Sequence, residues 1–132
     1  MADVTVQTLD GVAMRITAGR HELVADEPEP VGHDRGPDPY ALLLSAIGAC
    51  TAMTVTLYAQ RKAWPLESVA VEVTKHSTHP ADCASGGYCH RAEVHLELTG
   101  ELDDDQRRRL HDIATRCPVA RTLARGIEVA HV

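Results

Sequence analysis

The sequence predicts an α+β fold in which antiparallel strands pack on one long apolar helix. Three observations carry that expectation: period-two alternation in both halves of the chain, a charge-free run in the middle, and turn signals between the alternating stretches. The 132 residues are 44% apolar and 24% charged, which suits a single domain over residues 1–132 with a real hydrophobic core. Phenylalanine is absent, so Val, Leu, Ile and Ala must fill that core.

Residues 3–9 alternate Val4, Val6 and Thr8 with Thr5, Gln7 and Leu9, the period of a strand. Asp10-Gly11 is a turn signal of the kind that joins antiparallel strands. A second strand over Val12 to Thr17 and a third over His21 to Ala25 follow, separated by Ala18-Gly19-Arg20. From Asp26 to Asp38 the chain is rich in Pro, Gly and charge and reads as a loop feeding the helix, with Asp26 and Glu27 as solvated charges.

The run from Pro39 to Lys62 is apolar on every side and has no charged residue before Arg61, so it reads as a buried helix. Asp38 caps its start, Pro39 suits the first helical position, and Arg61 and Lys62 complement the negative end of the dipole. At about 1.5 Å per residue it runs roughly 35 Å, long enough to cross a bilayer. A membrane span is disfavoured, because it would leave strands on opposite sides of the bilayer, each half too small to bury a core. Gly48 and Ala49 let another element approach closely beside Cys50.

After Trp64-Pro65, Leu66 to Thr74 and Arg91 to Leu98 alternate as a plausible strand pair, with residues 76–90 as an irregular connection. Asp103 and Gln106 suit a capping box for the next helix, whose apolar stripe is Leu110, Ile113, Ala114 and Cys117. Pro118 ends that helix and opens a short one over Val119 to Ala124, which Gly126 stops, so Cys117 also falls at the positive N-terminal end of a second helix. Ile127 to Val132 reads as a last strand. The order is βββαββααβ.

A net charge of −6 without a basic run disfavours nucleic acid as a partner. The N-terminus lacks the basic and apolar regions of a signal peptide, so a cytoplasmic location is expected, where thiols stay reduced. Four cysteines then point to chemistry or metal before structural disulfides. Cys50 and Cys117 both lie on apolar helical faces that look toward one core. A thiolate that attacks a peroxide needs an electropositive setting and a second thiol close by to trap the sulfenic acid.

The stretch GPDPYALLLSAIGACTAMT, with RCPVARTL far downstream, resembles the OsmC family (osmotically inducible protein C) and its organic hydroperoxide resistance relatives. The resemblance covers most of the chain and implies an intertwined homodimer in which each central helix is wrapped by both subunits' sheets. It implies reduction of organic hydroperoxides or hydrogen peroxide by thiol chemistry, with a dithiol reductant of lipoyl or thioredoxin type and no cofactor. Cys50 matches the peroxidatic cysteine, Cys117 the resolving one, and Arg20 the arginine that holds the thiolate, with Arg35 as second candidate. The family commonly has a glutamate after the helix's proline. Here those positions are Tyr40 and Ala41, so Glu27 or Glu29 is left to supply the charge.

Two further readings compete: a non-catalytic binding or redox-sensing dimer of the same fold, and a zinc module on residues 76–90. That segment holds His76, His79, Cys83, Cys89 and His90, which are zinc-type ligands without a recognised spacing, and a Cys83–Cys89 disulfide is the other way to use its thiols.

Overall fold

The computed structural model describes residues 3–78, 83 and 89–132. The chain divides into two compact units, residues 1–43 and 44–132.

In the N-terminal unit, alternating Val and Thr build β1 (Val4–Asp10), β2 (Ala13–Ala18) and β3 (His21–Ala25), an antiparallel meander. β2 pairs Val6↔Ile16 with β1 and Ile16↔Leu23 with β3. The β2–β3 turn is Gly19-Arg20, where glycine takes φ +63° without a Cβ penalty.

The 26–38 loop is organised around Asp26, which sequence reading placed in solvent. Its carboxylate is buried and accepts backbone N–H groups from Glu27 (2.8 Å), His33 (3.3 Å) and Arg35 (3.2 Å). The Arg35 guanidinium adds an ion pair at 3.6 Å. Charge in this loop therefore folds inward, because a short carboxylate satisfies donors that no sheet or helix serves. Its acidity is set by opposition: burial alone raises the pKa, and the three N–H donors with Arg35 bring it below the usual carboxylate value.

Helix α1 (Pro39–Lys62) begins as expected, with the Asp38 side chain accepting from Ala41 N at 2.7 Å. It ends where Ala63 turns to φ +54° and Trp64 N donates to the Ala59 carbonyl. Of its faces one is buried, Ile47, Thr51, Val55 and Ala59 at every fourth residue. The expectation of burial on every side is not met within the chain: Met53 and Leu57 are 64% and 58% exposed. By length and composition the helix is able to cross a membrane. In the C-terminal unit its Val55 and Ala59 instead join Leu102 and Leu110 in the core.

β4 (Leu66–Ser77) and β5 (His90–Gly100) form an antiparallel ribbon with Val71↔Leu96 and Val73↔Val94 in register. α1 lies close upon it, since a Cβ at Gly48 would touch Val73 Cγ2 at 3.4 Å. α2 (Asp104–Ala114) carries the expected Asp103–Gln106 capping box and buries Leu110 and Ile113. Arg107 ties it to the end of β5 by donating to the Leu98 and Gly100 carbonyls at 3.1 and 2.8 Å. α3 (Pro118–Arg125) follows after a short turn. Residues 127–132 form no strand, because among the described residues no edge of either sheet pairs with them, and Ile127 and Val129 stay exposed.

Candidate functional site

Two cysteines far apart in sequence meet where α1 passes the start of α3. Cys50 is half-buried at the middle of α1, and Cys117 is 1% exposed. The side chains are hydrogen-bonded to each other. Cys117 does not continue α2: it is the N-cap of α3, and its Sγ accepts from Ala120 N at 3.5 Å. Pro118 suits the first helical position there, so the Cys-Pro pair fixes where the helix starts and aims its free N–H groups at sulfur. The Cys117 Sγ also lies 4.0 Å from the Ile47 carbonyl, which brings the start of α3 against α1.

The two thiols differ in acidity. Burial pushes Cys50 up, and the adjoining Cys117 adds to the rise, while the Val119 N–H and the Thr54 hydroxyl pull the other way without prevailing. At Cys117 burial also acts upward. There Ala120 N–H, the Cys50 thiol, the Thr51 hydroxyl and Val119 N–H together outweigh it and bring the thiol below its ordinary value. Negative charge in the pair is therefore best held at Cys117, at the positive end of α3.

Thr51 and Thr54 escaped sequence reading. Their signal was position: one and four residues after Cys50, they border it on the helix surface. Each hydroxyl donates to the carbonyl four residues back, Thr51 to Ile47 at 2.8 Å and Thr54 to Cys50 at 2.7 Å, and each also reaches a sulfur.

Two grooves flank the pair. One, about 580 Å³, is lined by Thr54, Leu57, Gln60, Arg61, Arg116 and Pro118. The other, about 530 Å³, has Thr51, Ala120, His95 and His111 among its lining residues.

Among the expected site residues, then, the structure brings Cys50 and Cys117 together. Arg20 lies exposed in the β2–β3 turn of the N-terminal unit, without a carboxylate partner among the described residues. Arg35 is engaged by Asp26 and by Asp10, each at 3.6 Å. Glu29 pairs with His33 at 3.3 Å, so the carboxylate serving a loop arginine is Asp26, not Glu27 or Glu29.

Cys83 and Cys89 form a disulfide, so they are not thiolate ligands here. His76 pairs with Glu93 and His90 with Ser77, while His79 lies outside the described residues. Among the described residues no three His, Cys, Asp or Glu side chains cluster as a metal site.

Comparisons with known proteins agree with this architecture. The family model described as OsmC-like protein matches residues 32–132. No curated protein sequence matches the chain. Among solved structures, an OsmC-like protein from Mycoplasma pneumoniae superposes with a TM-score of 0.76 at 23% identity, covering 94% of this chain and 87% of that one. OhrB, the organic hydroperoxide resistance protein of Bacillus subtilis, gives 0.62 at 22% identity, with 96% and 91% covered. An organic hydroperoxide resistance protein OsmC from Legionella pneumophila gives 0.63 at 19%, with 92% and 87% covered. With the family model spanning the long helix, the strand ribbon and the Cys-Pro start of α3, this chain belongs to the OsmC-like protein family.

Proposed function

We propose that the protein is a thiol-dependent peroxidase that reduces organic hydroperoxides or hydrogen peroxide. The observation that supports it is the juxtaposition of Cys50 and Cys117, one thiol half-buried and one buried and each acting on the other's acidity, on a family fold whose relatives include named organic hydroperoxide resistance proteins. Cys50 is the accessible nucleophile. Its sulfur attacks the O–O bond, an alcohol leaves with one oxygen, and Cys50 becomes a sulfenic acid. Cys117 then attacks that sulfur, water leaves, and a disulfide joins the pair. A dithiol of lipoyl or thioredoxin type restores both thiols. Over one turn, two thiols and one hydroperoxide give a disulfide, an alcohol and water.

In this reading Arg20 is the cation that draws negative charge to Cys50, against the preference that the start of α3 gives Cys117. The working form is a homodimer, which gives the exposed apolar side chains of α1, such as Met53, a surface to cover.

The test is consumption of cumene hydroperoxide with dithiothreitol by the native chain, Cys50→Ser and Cys117→Ser. Loss of turnover in Cys50→Ser, with a sulfenic acid accumulating in Cys117→Ser, is the expected result. A second reading, a redox-sensing or binding dimer without turnover, is favoured by the raised pKa of Cys50 and by Tyr40 and Ala41 in place of an acid. It is the outcome if the native chain forms the Cys50–Cys117 disulfide once and consumes no further peroxide.

A further inference from the structure

Two cysteine pairs stand in different states in one chain. Cys50 and Cys117 are free thiols, whereas Cys83 and Cys89, six residues apart, are joined. The joined pair lies at the open end of the β4–β5 ribbon, and both of its residues are half-buried. The ribbon does not depend on it. Its register runs from Leu66↔Gly100 to Ser77↔His90, and Thr78 N then donates to the Cys89 carbonyl at 2.7 Å, so backbone bonds hold the strands up to the cysteine itself. A crosslink over so short a loop also constrains the unfolded chain least. The disulfide therefore sits where it can open and reclose while β4 and β5 stay paired.

The flanking side chains suit exchange chemistry. Lys75 Nζ donates to Ser77 Oγ at 2.6 Å, and that oxygen lies 3.0 Å from His90 Nδ1, which ties the exposed imidazole next to Cys89 to an ammonium. Carrying the alternation of β5 one residue back puts Cys89 on the other face, with Arg91 and Glu93, and His76 is the cross-strand partner of Arg91. The Arg91 guanidinium and the His76 ring both meet Glu93 Oε2, at 3.6 and 3.7 Å. A thiolate released at Cys89 forms beside these groups, in the accessible and electropositive setting that makes a sulfur a good leaving group.

We propose that Cys83–Cys89 is a second redox couple, a thiol–disulfide exchange site that takes two electrons from a dithiol and passes them to another disulfide. One thiolate of the donor attacks the Cys83 sulfur, the Cys83–Cys89 bond breaks, and Cys89 leaves as a thiolate and takes a proton. The donor's second thiol then attacks its own sulfur in the mixed disulfide and frees Cys83. A dithiol and a protein disulfide become a cyclic disulfide and a protein dithiol. The same steps with an acceptor disulfide, run the other way, restore the bond. This activity goes beyond the peroxidase reading and uses none of its residues.

The test sets dihydrolipoamide against lipoamide at fixed ratios over the native chain, quenches with N-ethylmaleimide and maps each cysteine by mass spectrometry. Cys83 and Cys89 are expected to open and close together in the folded protein. A chain with Cys50→Ser and Cys117→Ser keeps this couple alone, which separates the result from the peroxidase reading. It should accelerate the reduction of oxidised glutathione by dihydrolipoamide about tenfold over the same chain with Cys83→Ser and Cys89→Ser added. His76→Gln with Arg91→Gln should raise the alkylation midpoint of reduced Cys89 and slow exchange about threefold, since a thiol of higher pKa leaves less readily. A disulfide that opens only on denaturation overturns the proposal. So does one that opens without accelerating exchange, or whose opening strips the β4 and β5 amides of their protection from hydrogen exchange.

Discussion

The Cys50 and Cys117 thiols act on each other, and their acidities are displaced in opposite directions, Cys50 upward and Cys117 downward. After burial, part of the rise at Cys50 comes from Cys117 itself, through the hydrogen bond and through charge. Cys117→Ser removes that part. The pH midpoint for alkylation of Cys50 by iodoacetamide is therefore expected to move down in Cys117→Ser. A midpoint that stays or rises would show that the two groups do not titrate as a pair.

Thr54 acts on Cys50 in the other sense, since its hydroxyl lowers the thiol's pKa. Thr54→Val keeps the shape and removes that hydroxyl. One hydrogen bond contributes about 0.5–1.5 kcal/mol, so oxidation of Cys50 by peroxide at neutral pH should slow by roughly two- to tenfold. Thr56→Val is the control, because the Thr56 hydroxyl makes the same bond to the carbonyl four residues back, that of Ala52, and does not act on Cys50. Equal slowing in both variants, measured by stopped-flow, would place the effect in the helix and not at the thiol.

Asp26 is held below the usual carboxylate range, so the stability it contributes is present above pH 3.8, its ordinary value, and is lost as pH falls through the lower, folded value. Asp26→Asn should loosen the loop already at neutral pH and erase that part of the acid dependence. Amide hydrogen exchange at Glu27, His33 and Arg35, the three donors, reads it directly. Unchanged exchange at all three would mean the loop holds itself without the carboxylate.

Gly48 decides how near α1 rides to the strand ribbon. Gly48→Ala places a Cβ at 3.4 Å from Val73 Cγ2, a contact the valine accommodates with little movement. Its helix propensity favours alanine by up to about 1 kcal/mol, so equal or greater stability is expected. Gly48→Leu must displace Val73 or the helix, at a cost of about 1–3 kcal/mol. A thermal melt of the two variants shows the split, and a leucine variant as stable as native would mean that the ribbon yields. Leu110→Ala, at a site with no exposed surface, should cost about 2–5 kcal/mol by the same assay.

Much of this architecture was legible in the sequence, for physical reasons that differ by element. Helix ends were readable because Asp38, Pro39, Asp103 and Gln106 act on neighbouring backbone, and such chemistry is local. The approach of Cys50 to Cys117 was anticipated from two apolar faces sharing a core. The last strand was not formed, since alternation at Ile127 and Val129 signals a strand but supplies no partner edge. Asp26 was misplaced because its role is made by three N–H groups that a folded loop brings together, and no spacing announces them. The pairing of Tyr58 with Arg109 needs α2 to arrive at α1, with the Arg109 Nε donating to the phenol oxygen at 3.0 Å, a contact that sequence separation hides.

The placing of Cys117 as the cap of α3 makes the helix a record of the electron count at the pair. With none of its residues buried, α3 draws little order from packing. Its first turn is capped by the Cys117 sulfur, which accepts from Ala120 N. In the proposed cycle that sulfur is spent in a disulfide, where it is a poorer acceptor than a thiolate, and the cap on the first turn is expected to weaken.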